Sequence, residues 1–168
     1  RIYLEHIDNE IDRGQRAVKG LERNGYFVLM DREVKKRGFC HHDFAHHNIL
    51  IDKDYQINII DFDYCSIDTR ILDIYGYTMK VIKNLAYNEE IIELIIKSYN
   101  EVSKLEDEEI EMLRKLINYP RDFINISMDY YLKQKSWDEE VFISRFRDKI
   151  ENDIFRTELL RCLNENLE

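Results

Sequence analysis

Between Gly38 and Cys65 the chain reads GFCHHDFAHHNILIDKDYQINIIDFDYC, a stretch that holds four of the five histidines and five aspartates. Within it His41-x-Asp43 is followed, five residues after Asp43, by Asn48. Two short β-branched runs then lead to Asp61-Phe62-Asp63. This is the spacing of a phosphoryl-transfer catalytic loop followed by a metal-binding loop. The residue types suit the chemistry. A carboxylate, Asp43, can accept or orient the proton of an attacking hydroxyl. Magnesium that bridges nucleotide phosphates needs hard oxygen ligands, and the amide of Asn48 and the carboxylate of Asp61 can supply them. On this reading His41 is scaffolding that hydrogen-bonds backbone near Asp61, and His42, His46 and His47 are loop residues without an assigned role.

A metal site built from the histidines competes with that reading. His42 and His46 are four apart, like a helical zinc pair, and His41-His42-Asp43 could be the metal dyad of a phosphohydrolase. Such sites need helical histidines and further ligands from other helices. Here Gly38 precedes the motif, a strand-like run follows at once, and His6 is the only other histidine.

The elements around the motif must hold these groups in place. Asn48–Ile51 and Ile57–Ile60, separated by Asp52-Lys53-Asp54-Tyr55-Gln56, predict a small hairpin with a polar turn. Elsewhere the periodicity is helical. Leu4, Ile7, Ile11, Val18 and Leu21 mark a helix over 2–22. A second follows Asn24-Gly25, with Lys35, Lys36 and Arg37 in its last turn and Gly38 able to close it. Further helices are predicted over 73–86, 89–104, 107–118, 120–134 and 137–163. Pro120 suits a first turn, and Ser136 with Glu139 has capping-box spacing. Phe142, Phe146, Ile150 and Ile154 form one predicted buried stripe, and Glu106, Asp107, Glu108, Glu109 and Glu111 a solvated first turn. Read alone, Asp73 is a helix N-cap.

Composition narrows the classes. With 168 residues, 44% apolar, five Gly and one Pro, one mostly helical α+β domain spanning 1–168 is expected. The net charge of −9, with the acidic excess after residue 60, leaves no basic nucleic-acid footprint. Cys40, Cys65 and Cys162 are odd in number and form no Cys-x-x-Cys pair, which suits a reducing compartment such as the cytoplasm. No apolar run reaches the roughly 20 residues of a membrane span. The sequence opens at Arg1 inside a helical pattern, as an excerpt of a longer protein would.

Three segments, CHHDFAHHNIL, INIIDFDYCSIDTRILDI and LINYPRDFINISMDYYLKQKSW, resemble the C-terminal lobe of the protein-kinase-like fold of aminoglycoside phosphotransferases and choline kinases. Within that fold they are most similar to the CotS family of bacterial spore-coat proteins. The likeness covers most of residues 38–137 and includes Tyr119-Pro120, Phe123, Tyr130-Tyr131, Lys135 and Trp137. It implies that Asp43 is the catalytic-loop aspartate, Asn48 the second metal ligand and Asp61 the principal one. It also implies that Asp73 is a carboxylate bracing the catalytic loop through backbone N–H groups. Asp63 stands where protein kinases have glycine, so it is either a further metal-shell oxygen or a solvated loop residue.

The chain has no Gly-rich phosphate loop and no strand lysine, since Gly14, Gly20, Gly25, Gly38 and Gly76 are scattered singly. The resemblance therefore implies an absent N-terminal nucleotide-binding lobe as partner. ATP and magnesium are expected in the full-length protein and weakly or not at all in this fragment, which is expected to be folded but inactive. Two functions are expected for the intact protein: a small-molecule phosphotransferase, or a non-catalytic spore-coat component that assembles with other coat proteins or with itself. Its expected location is the spore coat, after synthesis in the cytoplasm.

Overall fold

The computed structural model describes residues 2–85 and 88–166. In chain order the elements are α1 (Ile2–Arg23), α2 (Tyr26–Lys36), a 3-10 turn His46–Asn48, β1 (Ile49–Ile51), β2 (Ile57–Ile59), α3 (Ile71–Leu85), α4 (Glu89–Val102), α5 (Asp107–Asn118), α6 (Arg121–Tyr131), α7 (Glu139–Glu151) and α8 (Asp153–Asn166). The fold is the expected mostly helical α+β type with one small two-stranded sheet. Residue 86, the predicted end of α3, lies outside the described residues. The chain divides into two compact units, Glu22–Leu113 and Arg1–Leu21 with Arg114–Glu168.

The unit Glu22–Leu113 carries the candidate site. Gly25, at φ 83°, provides the left-handed turn before α2. At the other end of α2 the left-handed residue is Arg37 (φ 55°) rather than Gly38, whose N–H instead reaches the Glu33 carbonyl at 3.0 Å. The hairpin pairs Ile49 with Ile59 and Ile51 with Ile57. Its turn is built by Asp52, whose Oδ1 accepts the N–H groups of Asp54 and Gln56, both at 2.9 Å. Ile71, Ile74, Tyr75, Ile82, Ile92, Ile96, Leu105, Met112 and Leu113 are buried. By contrast Phe39, Leu50, Ile51, Ile57, Ile59, Ile60 and Phe62 are exposed, Ile51 by 65% and Ile57 by 69%.

From Arg70, the residue before α3, a dense ionic link runs to the first turn of α5 and the α4–α5 connection. Arg70 donates from Nε and Nη2 to the carboxylate of the buried Glu109 (2.8 and 2.7 Å) and from Nη2 to the Lys104 carbonyl (2.8 Å). Glu109 therefore belongs to the core and not to a solvated first turn, as the acidic run suggested. Burial alone would raise its carboxyl, but hydrogen bonds from Arg70 and the Glu106 N–H, with the charges of Arg70 and Arg32, hold it below its usual range.

In the other unit, Phe123, Ile126, Phe142 and Phe146 form a buried cluster flanked by Ile2, Tyr3, Ile7, Tyr130 and Trp137. The buried positions of α1 are Glu10, Gly14 and Ala17, whereas Leu4, Ile11 and Val18 of its apolar stripe are exposed. Pro120 stands just before α6 instead of inside its first turn, and Asp138 rather than Ser136 occupies the N-cap position of α7. The single helix predicted over 137–163 is two helices, broken at Asn152. Asp153 opens α8 by accepting Arg156 (2.8 and 2.9 Å) and Arg13 (2.7 Å), an ion pair that fixes where the second helix starts. The predicted stripe accordingly ends early: Phe142 and Phe146 are buried, but Ile154 is 60% exposed.

Candidate functional site

The segment 40–48 is held at both ends. Cys40 and Ser66 exchange backbone hydrogen bonds (2.9 and 3.1 Å), which ties the start of the segment to the chain that follows the hairpin. The buried Cys40 thiol donates to the Thr69 carbonyl at 3.0 Å. Burial, with the carboxylates of Asp73, Asp68 and Glu33 nearby, pushes that thiol up to about 12, so it is no nucleophile.

Next along the chain, both oxygens of Asp73 accept backbone hydrogen bonds, from the His41 N–H at 2.7 Å and the His42 N–H at 2.8 Å. Since α3 starts at Ile71, Asp73 lies inside its first turn and is not its N-cap. His42 adopts a left-handed backbone, φ 61°, a conformation that disfavours a side chain by about 1–2 kcal/mol. Its ring contacts the Ser66 hydroxyl at 2.8 Å and approaches Asp68 at 3.7 Å.

His41 is buried and joins two loops. Its Nδ1 accepts the Asp43 N–H at 3.3 Å, which leaves the proton on Nε2 to be donated to the Ile60 carbonyl at 2.9 Å. The ring also lies 4.9 Å, between centroids, from that of Phe62. Asn48 completes the clasp. Its Nδ2 donates to the Asp43 carbonyl (2.9 Å) and reaches Asp43 Oδ2 (3.3 Å), while its own carbonyl accepts the Ile60 N–H (3.0 Å). The hairpin thus sets Asp43 and Asn48 beside the residue that precedes Asp61. Asp61 is exposed and left-handed (φ 65°), a conformation that aspartate tolerates better than most residues. Asp63 is also exposed.

The residue types offer a hard cation two oxygens, the Asp61 carboxylate and Asn48 Oδ1. The Asn48 amide nitrogen is already committed to Asp43, so Oδ1 is the atom left over. Such a sparse set suits magnesium, which keeps several waters and takes phosphate oxygens as further ligands. Among the described residues the histidines are not gathered as a metal site would need. No helix spans 42–46, His46 and His47 are exposed in the 3-10 turn, and among the described residues no metal-ligand cluster includes a histidine.

One residue of the site has no counterpart in the sequence reading. From α3, Lys80 donates to Asp43 Oδ1 at 2.5 Å and to the Phe44 carbonyl at 3.3 Å. This bond, with the Lys80 charge and the Asn48 contact, lowers the Asp43 carboxyl below its usual range despite some desolvation. The signal was present in the helical period: Asp73, Tyr77 and Lys80 are i, i+4 and i+7, one face of a helix.

The model of the phosphotransferase enzyme family matches residues 6–91. Over 145 residues the chain is 26% identical to spore coat protein S of Bacillus subtilis (strain 168), covering 83% of this chain and 40% of that relative. It superposes with a TM-score of 0.82 on the crystal structure of an aminoglycoside phosphotransferase from Alicyclobacillus acidocaldarius subsp. acidocaldarius DSM 446, over 98% of this chain and 48% of the other. At 15% identity that likeness shows the shared kinase-like fold alone. The chain therefore spans less than half the length of either relative. Because the family match takes in just over half of the residues and the fold agrees with it, this chain belongs to the phosphotransferase enzyme family.

Proposed function

We propose that residues 1–168 are the C-terminal, catalytic-loop lobe of a kinase-like phosphotransferase that uses ATP and magnesium to phosphorylate a hydroxyl of a small molecule. The observation that carries this reading is the clasp at Asn48, which bonds Asp43 through its amide and the neighbour of Asp61 through its backbone. Asp43 accepts the acceptor's proton, and Asn48 and Asp61 hold the cation, with Asp63 as a candidate for its outer shell. His41 and Asp73 keep the two loops in register. Magnesium, when bound, offsets charge on the transferring phosphoryl group. An N-terminal lobe supplies the remaining phosphate contacts and covers the exposed hairpin face of Ile51, Ile57 and Ile59. The short coverage of both relatives supports this.

The likeness to a spore coat protein supports a second reading for the complete protein: a coat component, made in the cytoplasm, that assembles with coat proteins or itself without catalysis. Calorimetric titration of the complete protein with MgATP separates the two. Binding lost in Asp61→Ala, with transfer lost in Asp43→Asn, is the expected result. A complete protein that binds no MgATP leaves the coat reading.

A further inference from the structure

Three residues of one α3 face grip four consecutive residues of the loop. Asp73 bonds the backbone of His41 and His42, the Tyr77 ring packs 5.3 Å from that of Phe44, and Lys80 bonds Asp43 Oδ1 and the Phe44 carbonyl. Asp73 and Lys80 are two helical turns apart, about 10 Å along the axis. The helix therefore presents a rigid ruler to the loop. No Lys or Arg occurs between Gly38 and Asp52, so the loop has no permanent cation of its own to orient the Asp43 carboxylate. A carboxylate held only by the 3.3 Å contact with Asn48 could rotate about χ2, which is a broad torsion.

We propose that Lys80 is the positioning residue for phosphoryl transfer, holding Asp43 through Oδ1 so that Oδ2 faces the acceptor hydroxyl. The inference rests on the phosphotransferase reading above. In the step it serves, the acceptor oxygen forms the new bond to the γ-phosphorus of a nucleoside triphosphate. The bond from that phosphorus to the bridging oxygen breaks, and its electron pair leaves with the nucleoside diphosphate. The acceptor proton passes to Asp43 Oδ2. Lys80 exchanges no proton; its ammonium keeps two donors on the loop throughout, one on Oδ1 and one on the Phe44 carbonyl. Holding the base in a reactive orientation acts on the chemical step and not on nucleotide affinity.

The test uses the complete protein, with MgATP hydrolysis as the assay and water in place of the unidentified acceptor. Lys80→Met is expected to lower kcat by about 10- to 100-fold and to leave KM for MgATP within about twofold. Lys80→Arg, which restores a cation on a longer fork, is expected to recover part of kcat. Propylammonium added to Lys80→Ala is expected to do the same in a saturable manner. Thermal melts of each variant control for folding. An active parent whose Lys80→Met variant keeps its kcat overturns the inference alone. So does a loss of kcat that neither Arg nor propylammonium restores, since that is the mark of a structural role. A parent with no MgATP hydrolysis and no MgATP binding overturns the phosphotransferase reading and this inference with it.

Discussion

Asp73→Asn tests the bracing of the loop most directly. Asparagine is isosteric with aspartate but offers one oxygen where two are used, and its amide hydrogens would face whichever backbone N–H lost its acceptor. His41 is buried, so an unpaired N–H there costs about 1–3 kcal/mol. His42 is exposed and its N–H can turn to water, so the loss there is only the net value of a hydrogen bond, about 0.5–1.5 kcal/mol. One of the two bonds survives in the variant, so the cost is one of these two contributions and not their sum, and release of the left-handed His42 backbone would lower it further. The expected destabilisation is therefore about 0.5–3 kcal/mol, toward the upper end where the His41 N–H is the one left unpaired. For a chain of this size it corresponds to a fall in Tm of about 1–12 °C. Asp63→Asn is the control: the residue is exposed, and a change within about 0.5 kcal/mol is expected. Urea titrations followed by circular dichroism read both variants. Equal midpoints would refute the bracing argument. Faster amide exchange at His41 and His42 in Asp73→Asn alone would localise the effect.

In the complete protein Asp43→Ala should leave the fold intact and remove about 10²- to 10⁴-fold of the transfer rate, measured by coupled assay of released nucleoside diphosphate. Asp61→Ala should abolish magnesium-dependent nucleotide binding by calorimetry, whereas replacing His42 and His46 together should change it little; stoichiometric zinc by elemental analysis would reverse that expectation. Arg70→Ala leaves Glu109 buried without its main partner; because Arg70 is itself partly exposed, the lower end of the range for breaking a buried pair applies, about 3 kcal/mol, read as a lower urea midpoint. Glu109 is held below its unfolded range, so its contribution is present at neutral pH and is lost as pH falls from about 5 through its folded value; Glu109→Gln should flatten the dependence of Tm on pH across that interval. The isolated 168-residue chain should fold, bind MgATP only weakly and self-associate through the exposed hairpin face, checked by calorimetry and by light scattering.

What could be read from the sequence was what nearby residues decide. The hairpin is legible because two β-branched runs flank a turn whose Asp52 makes its own hydrogen bonds within four residues. The segment Asp43–Asn48 is legible because both groups belong to one tight loop. Asp73 could not be separated from an N-cap by spacing alone, since a carboxylate near a helix start serves either purpose. The distinction lies in what faces it, and His41 is 32 residues away. The break at Asn152 has the same origin. Nothing in Glu151-Asn152-Asp153 forbids a continuous helix, and the start of α8 is set by an ion pair with Arg13, 140 residues earlier. The acidic run 106–111 misled for a related reason: four of its carboxylates suit a solvated helix start, but Glu109 is drawn inward by Arg70 from 39 residues upstream.

Lys80 shows where this limit bears on function. A lysine in the middle of an amphipathic helix has no local signature. The polar face carries a second code, Asp73, Tyr77 and Lys80 at i, i+4 and i+7, that becomes visible once one member is known to touch the loop. Since side chains on one face of a helix are spaced by its pitch, the contact at Asp73 fixes where the next two must fall. A short loop with few hydrogen bonds of its own thereby acquires the rigidity of the helix beneath it. The Asp43 carboxylate is then placed by α3 more than by the residues beside it in sequence.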